Sequence, residues 1–579
     1  MHHWKIWGCT ELRTHRSLAA VVSFIVVLMS SASPIFAADA GGAEVASGSA
    51  RGLATLDWIV IGAYGAGMLL LGVFFARRQK TTAEFFTGAG KMGSVAVGLS
   101  IHATLLSTIS YLGVPGEMIG RGPVILCAMV GIPITFIVVG YFVVPALMKR
   151  RVTSAYEMLE QRLGLGPRLM AAALFLMLRF IWMGLMVNAA ATKAIIPILG
   201  LSGDAADKAL PWIVILCSFV AIAYTALGGL RAVVITDVVQ FLLLLGGAIL
   251  TVAIVTAQMG VEWFPTQWAD HWEQQPVFDT DPHTRVTIVG SIMAAMLWWI
   301  CTACSDQTAV QRFMATGDTQ GARRSFLITM AVEPVLSVML GLVGFALLGY
   351  FTLHSNLLGA DGDIVAQADK MFPIFIANVL PAGIAGLVVA AMLAALMSSL
   401  DSGINSATAV IQVDFIDRFR RRGDTAEHDI WTARGLSVAI GVVIIAMNYF
   451  VSTLKEDNII EQTNKLVNTP VWPLFTVFFI GIFVPFGTPF GAVIGGLYAL
   501  ATGTLVAFWV QITDLDQAIS FQWIPPMCLA AGLGPGILLS LLPTRGRPFW
   551  LLLVLGVVLM LPVIAVYAWA ISLRPEFVS

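Results

Sequence analysis

Apolar stretches, each long enough (about 20 residues) to cross a hydrocarbon core of about 30 Å as a helix, recur along most of this 579-residue chain. Lipid offers no hydrogen-bond partners to a peptide backbone, so only helices and closed barrels span a bilayer, and runs of this length favour helices. Only 12% of the residues are charged, which is about half the usual share in soluble domains. The sequence therefore predicts an all-α polytopic membrane protein.

We predict fourteen membrane-spanning helices, numbered here as spans 1 to 14. They cover residues 55–76, 94–120, 123–147, 167–196, 211–228, 233–257, 287–304, 326–352, 373–411, 434–453, 461–484, 488–509, 524–542 and 549–572. Before them, residues 1–37 have the basic, apolar and small-residue regions of a secretory signal peptide that ends at Ala37. The alternative for this segment is an extra N-terminal helix.

Basic residues indicate the orientation of the spans. If span 1 begins outside, the inner segments contain 20 Lys and Arg residues and the outer segments contain 8. Inner loops of membrane proteins carry the excess of Lys and Arg. We therefore expect a multi-pass protein of the plasma (inner) membrane with its N-terminus and C-terminus outside.

The remaining composition argues against several classes of function. A net charge of −1 and the lack of a basic tract give no sign of a nucleic-acid partner. The six cysteines form neither a disulfide framework nor a zinc-binding spacing with histidines, and no metalloprotease motif or nucleophile elbow is present. We therefore expect a protein that is not an enzyme, whose partners are the bilayer and small ligands, with no obligate protein partner indicated.

Five ionisable side chains interrupt the apolar spans, and they are His102, Arg179, Asp237, Glu333 and Asp401. A charged side chain at mid-bilayer costs at least ~2.5 kcal/mol on insertion scales, so such residues are candidates for function.

Asp401 belongs to a polar stripe in span 9. Ala395, Ser398, Ser399 and Ser402 have the i, i+3, i+4 and i+7 spacing of one helix face, and Asp401 borders that face. Hydroxyl and carboxylate oxygens are hard ligands that suit an alkali cation better than a transition metal. The alternative is a face of small residues that only packs two helices together, although packing does not require the carboxylate.

Spans 2 and 6 contain the other polar positions of interest. Span 2 is rich in Ser, Thr and Gly, contains Pro115 and has a polar segment at residues 103–110. Interrupted helices of transporters use such segments to present carbonyl groups to ions. Asp237 follows the Gly228-Gly229 pair that separates spans 5 and 6. The alternatives are an ordinary helix for span 2 and a carboxylate that caps a helix or pairs with an arginine for Asp237.

Three segments resemble the signature segments of the sodium:solute symporter family: TALGGLRAVVITDVVQ, SDQTAVQRFMATGD and GLVVAAMLAALMSSLDSGINSATAVIQVDF. The resemblance covers roughly residues 55–510. It implies an inverted five-helix-repeat transporter fold (5+5 core), with repeat one in residues 94–257 (spans 2–6) and repeat two in residues 287–484 (spans 7–11). Spans 2 and 7 would be broken at mid-membrane, and residues 55–76 and 488–572 would form peripheral helices.

The same resemblance implies which residues bind cations. The family's principal sodium site joins span 2 to span 9, and the matching ligands are the carbonyl groups of Ala103, Leu106 and Ala395 and the hydroxyls of Ser398 and Ser399. Some members have a second cation site, which matches Asp237, Ser398, Asp401 and Ser402. Sialic acid transporters have serine at position 401, so the aspartate here either strengthens a second Na+ site or binds a proton. One or two Na+ ions and no organic cofactor are expected.

The residues expected to bind substrate are Ser107, Ser110, Arg179, Trp299, Thr302 and Glu333. Other side chains occupy almost all positions that contact sugar in the sugar-transporting members, which argues against glucose-like sugars. Arg179 resembles the arginine that binds the carboxylate in sialic acid transporters, where a guanidinium matches a carboxylate in a bidentate fork. Alternatively, Arg179 pairs with a buried carboxylate such as Glu333, or Glu333 itself binds a substrate amine.

The sequence therefore predicts a sodium-coupled secondary active symporter that imports a small organic solute by alternating access. The solute is expected to be anionic or zwitterionic and to carry a carboxylate, such as a monocarboxylate, a sialic acid or an amino acid. One alternative is a proton-coupled carrier of the same fold, with a relay through Asp401, Asp237, Glu333 and His102. The other is a sodium/sugar symporter.

Overall fold

A computed structural model describes residues 52–76, 82–150, 152–358, 363–419, 426–453, 459–544 and 547–574. All regular elements in these ranges are helices. The segment predicted to be a signal peptide, residues 1–37, lies outside the described residues.

The helices that correspond to the predicted spans are labelled α1 to α14. The first six are α1 (Thr55–Ala76), α2a (Ser94–Leu105) with α2b (Thr108–Gly120), α3 (Pro123–Met148), α4 (Leu165–Ile198), and α5 with α6 (together Gly203–Met259). The next five are α7a (Ile288–Ser305) with α7b (Gln307–Ala315), α8 (Thr319–Leu353), α9 (Ile384–Phe419), α10 (Ala426–Ser452), and α11a (Ile459–Leu466) with α11b (Val471–Phe483). The last three are α12 (Pro489–Ala507), α13 (Ile524–Ser540) and α14 (Phe549–Ser572). Shorter helices are Thr82–Thr87, Glu157–Leu163, Ile364–Asn378 and Trp509–Thr513.

The helix Gly203–Met259 contains two spans. It has 57 residues, which would extend roughly 85 Å if it were straight. Gly229 interrupts it with φ 54° and ψ −169°, a conformation that glycine adopts far more readily than other residues. Twelve described helices are long and apolar enough to cross a membrane, and the bent pair α2a–α2b makes thirteen. Counting the two sides of Gly229 separately gives the predicted fourteen.

Spans 2 and 7 are broken, as predicted. The two halves of α2 are bent by 64°, and α7 is interrupted at Asp306, whose φ of −80° and ψ of 121° are extended. The predicted start of span 9 differs from the structure, because the apolar run beginning at residue 373 contains two helices. Ile364–Asn378 ends first, and α9 begins at Ile384 after Gly383, whose φ is 87°.

Burial separates a central group of helices from a peripheral one. In the most apolar 18-residue stretch of α9, 89% of the residues are buried, whereas the corresponding shares are 11% for α1 and 0% for α14. Helix α9 packs against α1, α2, α4, α10 and the helix that contains α5 and α6. The polar side chains of α9 are therefore surrounded by protein rather than by lipid.

Candidate cation sites and solute cavity

The break in α2 makes backbone carbonyl groups available. Leu106 is extended, with φ −87° and ψ 118°, and Ser107 begins α2b by accepting a hydrogen bond of 3.2 Å from the backbone amide of Ile109. The last carbonyl groups of a helix have no partner in a following turn. Carbonyl groups at the end of α2a are therefore free to bind groups from other helices.

Two adjacent serines of α9 reach these carbonyl groups. Ser398 donates to the carbonyl oxygens of Ala103 at 2.9 Å and Ala395 at 3.2 Å. Ser399 donates to two carbonyl oxygens at the end of α2a, and the nearer one, at 2.9 Å, belongs to Thr104. Hydroxyl groups of α9 thus meet the backbone of α2a.

The farther acceptor of Ser399 is Leu106, at 3.3 Å. The structure therefore brings together every residue that we expect in the principal sodium site: Ala103, Leu106, Ala395, Ser398 and Ser399. Five neutral oxygen atoms form a hard donor set that suits an alkali cation. Each serine hydroxyl keeps lone pairs for a cation while its proton is donated elsewhere. The residues present fit a Na+ ion.

Asp237 of α6 is fully buried and forms an ion pair with Arg312 of α7b, with 3.1 Å between Oδ2 and Nη2. Ser100 and Thr104 donate to the same carboxylate at 2.5 and 3.3 Å. Arg312 also donates to the hydroxyls of Ser100, at 2.8 Å, and Ser402. The sequence placed Arg312 in an inner loop, although it lies in the second half of a broken span whose residues are all buried.

Asp401 joins this cluster through Ser402, which donates to it at 3.0 Å, and Tyr224 donates to its other oxygen at 2.6 Å. Two carboxylates and the guanidinium of Arg312 leave the cluster with a formal charge of −1. Within the described residues, Oδ1 of Asp237 is buried without a hydrogen-bond partner. Since an uncompensated buried charge is unfavourable, the cluster fits one further monovalent cation or a proton.

Arg179 of α4 pairs with Asp306 at the break in α7, and both side chains are buried. Its guanidinium lies 4.5 Å from the ring centroid of Trp182. Asp306 also begins α7b by accepting a hydrogen bond of 2.8 Å from the backbone amide of Thr308. Arg179 therefore pairs with a buried carboxylate, as one of the two alternatives expected. The partner is Asp306 and not Glu333, because Glu333 lies beside His102.

A cavity of about 300 Å³ lies beside the break in α2. Four residues predicted to bind substrate line it: Ser107, Ser110, Trp299 and Glu333. The other two, Arg179 and Thr302, are buried and are not part of the cavity wall. Trp182, which stacks on Arg179, does line the cavity, so Arg179 acts on the wall through its neighbour.

Glu333 of α8 meets His102 of α2a in the cavity wall. Oε2 of Glu333 lies 3.2 Å from Nδ1 of His102, and Ser337 donates to Oε1 at 3.1 Å. The ring of His102 contacts Phe241 edge-on, with 5.7 Å between centroids. Among the described residues, His102 and Glu333 are the only ionisable side chains in the wall.

Aromatic and amide side chains that the sequence did not single out complete the wall. Trp298 donates to Asn468 at 3.0 Å, and Asn468 donates to Asn464 at 2.8 Å. Gln522 is held by a hydrogen bond of 3.0 Å to Ser291. Asn464 lies in α11a, and Asn468 lies in the break between α11a and α11b. A search for apolar runs overlooks neutral polar side chains at such positions.

Two broken helices that meet a buried helix beside an internal cavity are typical of a membrane transporter, and the candidate ion and solute sites share one backbone segment. A sequence profile of the sodium:solute symporter family matches residues 85–499. The chain belongs to the sodium:solute symporter family, and it is a sodium-coupled multi-pass membrane transporter. The predicted family and the use of Na+ are confirmed.

Several characterised relatives cover most of the chain. The sodium/sialic acid symporter SiaT of Proteus mirabilis is 29% identical over 462 residues, which are 76% of this chain and 87% of the relative. Human sodium-coupled monocarboxylate transporter 1 is 26% identical over 481 residues, 80% of this chain and 74% of the relative. A solved structure of a Na+-coupled sialic acid symporter in a substrate-bound outward-open state matches with a TM-score of 0.70 at 24% identity, covering 84% of this chain and 98% of that chain. This match confirms the inverted five-helix-repeat fold.

Proposed function

We propose that this protein imports a small carboxylate-bearing solute, anionic or zwitterionic, together with Na+ by alternating access. The observation that carries the proposal is the double role of Leu106. Its carbonyl group accepts from Ser399 in the expected sodium site, and the same residue lines the solute cavity. A Na+ ion that orders residues 103–106 would also order the cavity wall, and such a coupling between two ligands is reciprocal.

The start of α2b supports a carboxylate as part of the solute. Ser107 is the residue before the helix, Ser110 lies in its first turn, and both line the cavity. The first amide groups of a helix lack intrahelical partners, and the helix dipole favours negative charge there. Transporters use the N-termini of half-helices in this way for anionic substrate groups. The relatives named for sialic acid and monocarboxylates also carry carboxylate solutes.

Arg179 positions the wall in this proposal and does not contact the solute. Its charge is compensated by Asp306, and its guanidinium supports the indole of Trp182. The second cation site would be the cluster around Asp237, Asp401 and Ser402, where the formal charge of −1 is balanced by one Na+ or one proton.

The experiment is uptake into proteoliposomes that contain the purified protein, driven by an inward Na+ gradient and screened over organic acids, amino acids and sugars. Uptake of a carboxylate-bearing solute that stops when a sodium ionophore removes the gradient is expected. Uptake of sugars with no uptake of any carboxylate would replace the proposal with sodium/sugar symport.

A further inference from the structure

A smaller chamber of about 170 Å³ adjoins the solute cavity. Trp299, Glu333 and Ala295 belong to the walls of both spaces. The rest of the smaller wall is almost entirely apolar and includes Val114 and Met129, and its polar side chains besides Glu333 are Thr135 and Ser337. An apolar cavity of about 150 Å³ in a protein admits a benzene molecule, so this side chamber has room for a branched alkyl or phenyl group.

Glu333 stands where the two spaces meet, and its carboxylate is accessible there. Its side chain is 22% exposed, whereas that of His102 is 1% exposed. His102 and Ser337 each approach a different oxygen. A carboxylate has about four lone-pair positions, so each oxygen keeps the capacity to accept one more hydrogen bond from a ligand.

The charges around Glu333 favour a cationic ligand group. Among the described residues, neither wall contains a lysine or an arginine. A carboxylate in a low-dielectric site is stabilised strongly by a close cation, and hydrogen bonds between ionised partners are about twice as strong as neutral ones. An ammonium group offers a positive charge together with three donors.

We infer that the solute is an α-amino acid with a branched or aromatic side chain. Its ammonium group binds Glu333, its apolar side chain enters the side chamber, and its carboxylate lies in the larger cavity. In an α-amino acid these three groups are attached to one carbon atom, and Glu333 belongs to the walls of both spaces. The inference rests on the proposed function and narrows its solute class from carboxylates to zwitterions.

The inference is tested by competition for Na+-driven uptake, or by calorimetry with purified protein in Na+. Matched probes are L-phenylalanine and 3-phenylpropanoate, and L-leucine and 4-methylpentanoate, which differ in the ammonium group alone. Loss of one charge-assisted hydrogen bond should weaken binding at least about tenfold, so each amino acid should bind at least about tenfold more tightly than its partner.

Glu333→Gln should reduce this ratio to about 1, because the amide keeps the shape and loses the charge. The matched control is Glu262→Gln, which changes an exposed glutamate and should keep the ratio. Val114→Phe fills the side chamber and should lower the affinity for phenylalanine more than that for alanine. If Glu333→Gln does not fold, Glu333→Asp, which withdraws the carboxylate by one methylene, should lower the ratio instead.

The outcomes separate this inference from the proposed function. Equal affinity for each amino acid and its partner without the ammonium group would overturn the inference while leaving Na+-driven carboxylate import intact. The inference would also be overturned if Glu333→Gln kept the affinity ratio between each amino acid and its partner without the ammonium group. The same holds if Val114→Phe kept the relative affinity for phenylalanine and alanine. Transport restricted to solutes without a carboxylate would refute the proposed function itself.

Discussion

Ser399 of α9 donates a hydrogen bond of 2.9 Å to the carbonyl oxygen of Thr104 in α2a, a residue that lies 295 positions earlier in the chain. The bond connects the buried helix α9 to the broken helix α2. Because 89% of the most apolar part of α9 is buried, its serines are held by surrounding protein, and the break in α2 can be ordered against them. A cation bound between α9 and the break in α2 is therefore suited to control the conformation of the solute cavity wall.

Ser399→Ala should raise the Na+ concentration that gives half-maximal uptake by about tenfold or more. The ion loses one oxygen ligand, and we take the loss to be comparable to that of a hydrogen bond to a charged group, about 1.5–3 kcal/mol. The measurement is a Na+ titration of uptake at fixed solute concentration. Ser437→Ala, which removes a buried hydroxyl of α10 outside the site, is the control. An unchanged Na+ titration in Ser399→Ala would remove this residue from the sodium site.

Asp401→Asn should reduce the positive charge that moves with each solute molecule by one. The substitution removes the excess negative charge of the cluster with Asp237 and Arg312, so no additional cation is needed for neutrality. The reversal potential of uptake in proteoliposomes gives the charge per solute. Repeating it at several Na+ concentrations and pH values identifies the ion as Na+ or a proton. If the charge moved per solute molecule equalled that of the unmodified protein, the second cation would bind elsewhere.

Asp306→Asn should lower the stability of the protein by about 3–5 kcal/mol, because it leaves Arg179 charged and buried without its partner. Thermal unfolding in detergent measures this loss. Adding Arg179→Met to Asp306→Asn should restore part of the stability, since no buried charge then remains. If Arg179→Met alone abolished binding of carboxylates without lowering the melting temperature, Arg179 would contact the solute directly.

Arg285→Ala should speed the exchange of solute with the cavity and weaken its affinity. Arg285 precedes α7a and binds both oxygens of Glu117 at the end of α2b, at 2.7 and 2.9 Å, and Glu461 of α11a at 2.5 Å. Its guanidinium also lies over Phe521, which lines the cavity. Without the arginine, the two carboxylates repel each other and favour separation of their helices.

The measurement for Arg285→Ala is the rate of solute dissociation by rapid dilution, with Arg324→Ala as a control because Arg324 is exposed on α8. Arg285→Lys keeps the charge but loses the planar fork, so its dissociation rate should lie between those of Arg285→Ala and the control. A dissociation rate equal to that of the control would mean that this ion-pair group does not restrain the cavity.

The ligands of the expected sodium site were implied by the resemblance to the symporter family, whereas helical spacing alone indicated only a polar face on α9. Arg312 was missed because the short helix after a broken span looks like a loop when only long apolar runs are counted. Asn464 and Asn468 lie within predicted span 11, in α11a and in the break that follows it, and their neutral amides stood out less in the sequence than the ionisable side chains did.

The sequence by itself determined the number of spans, most of their bounds and which buried positions carry polar groups, because the bilayer imposes length and apolarity on each helix separately. Only the tertiary structure decided how the charges are paired. Arg179 meets Asp306 across 127 positions, and Arg312 meets Asp237 across 75. Such partners are determined by the packing of helices that are distant in the sequence, and no local pattern of residues specifies that packing.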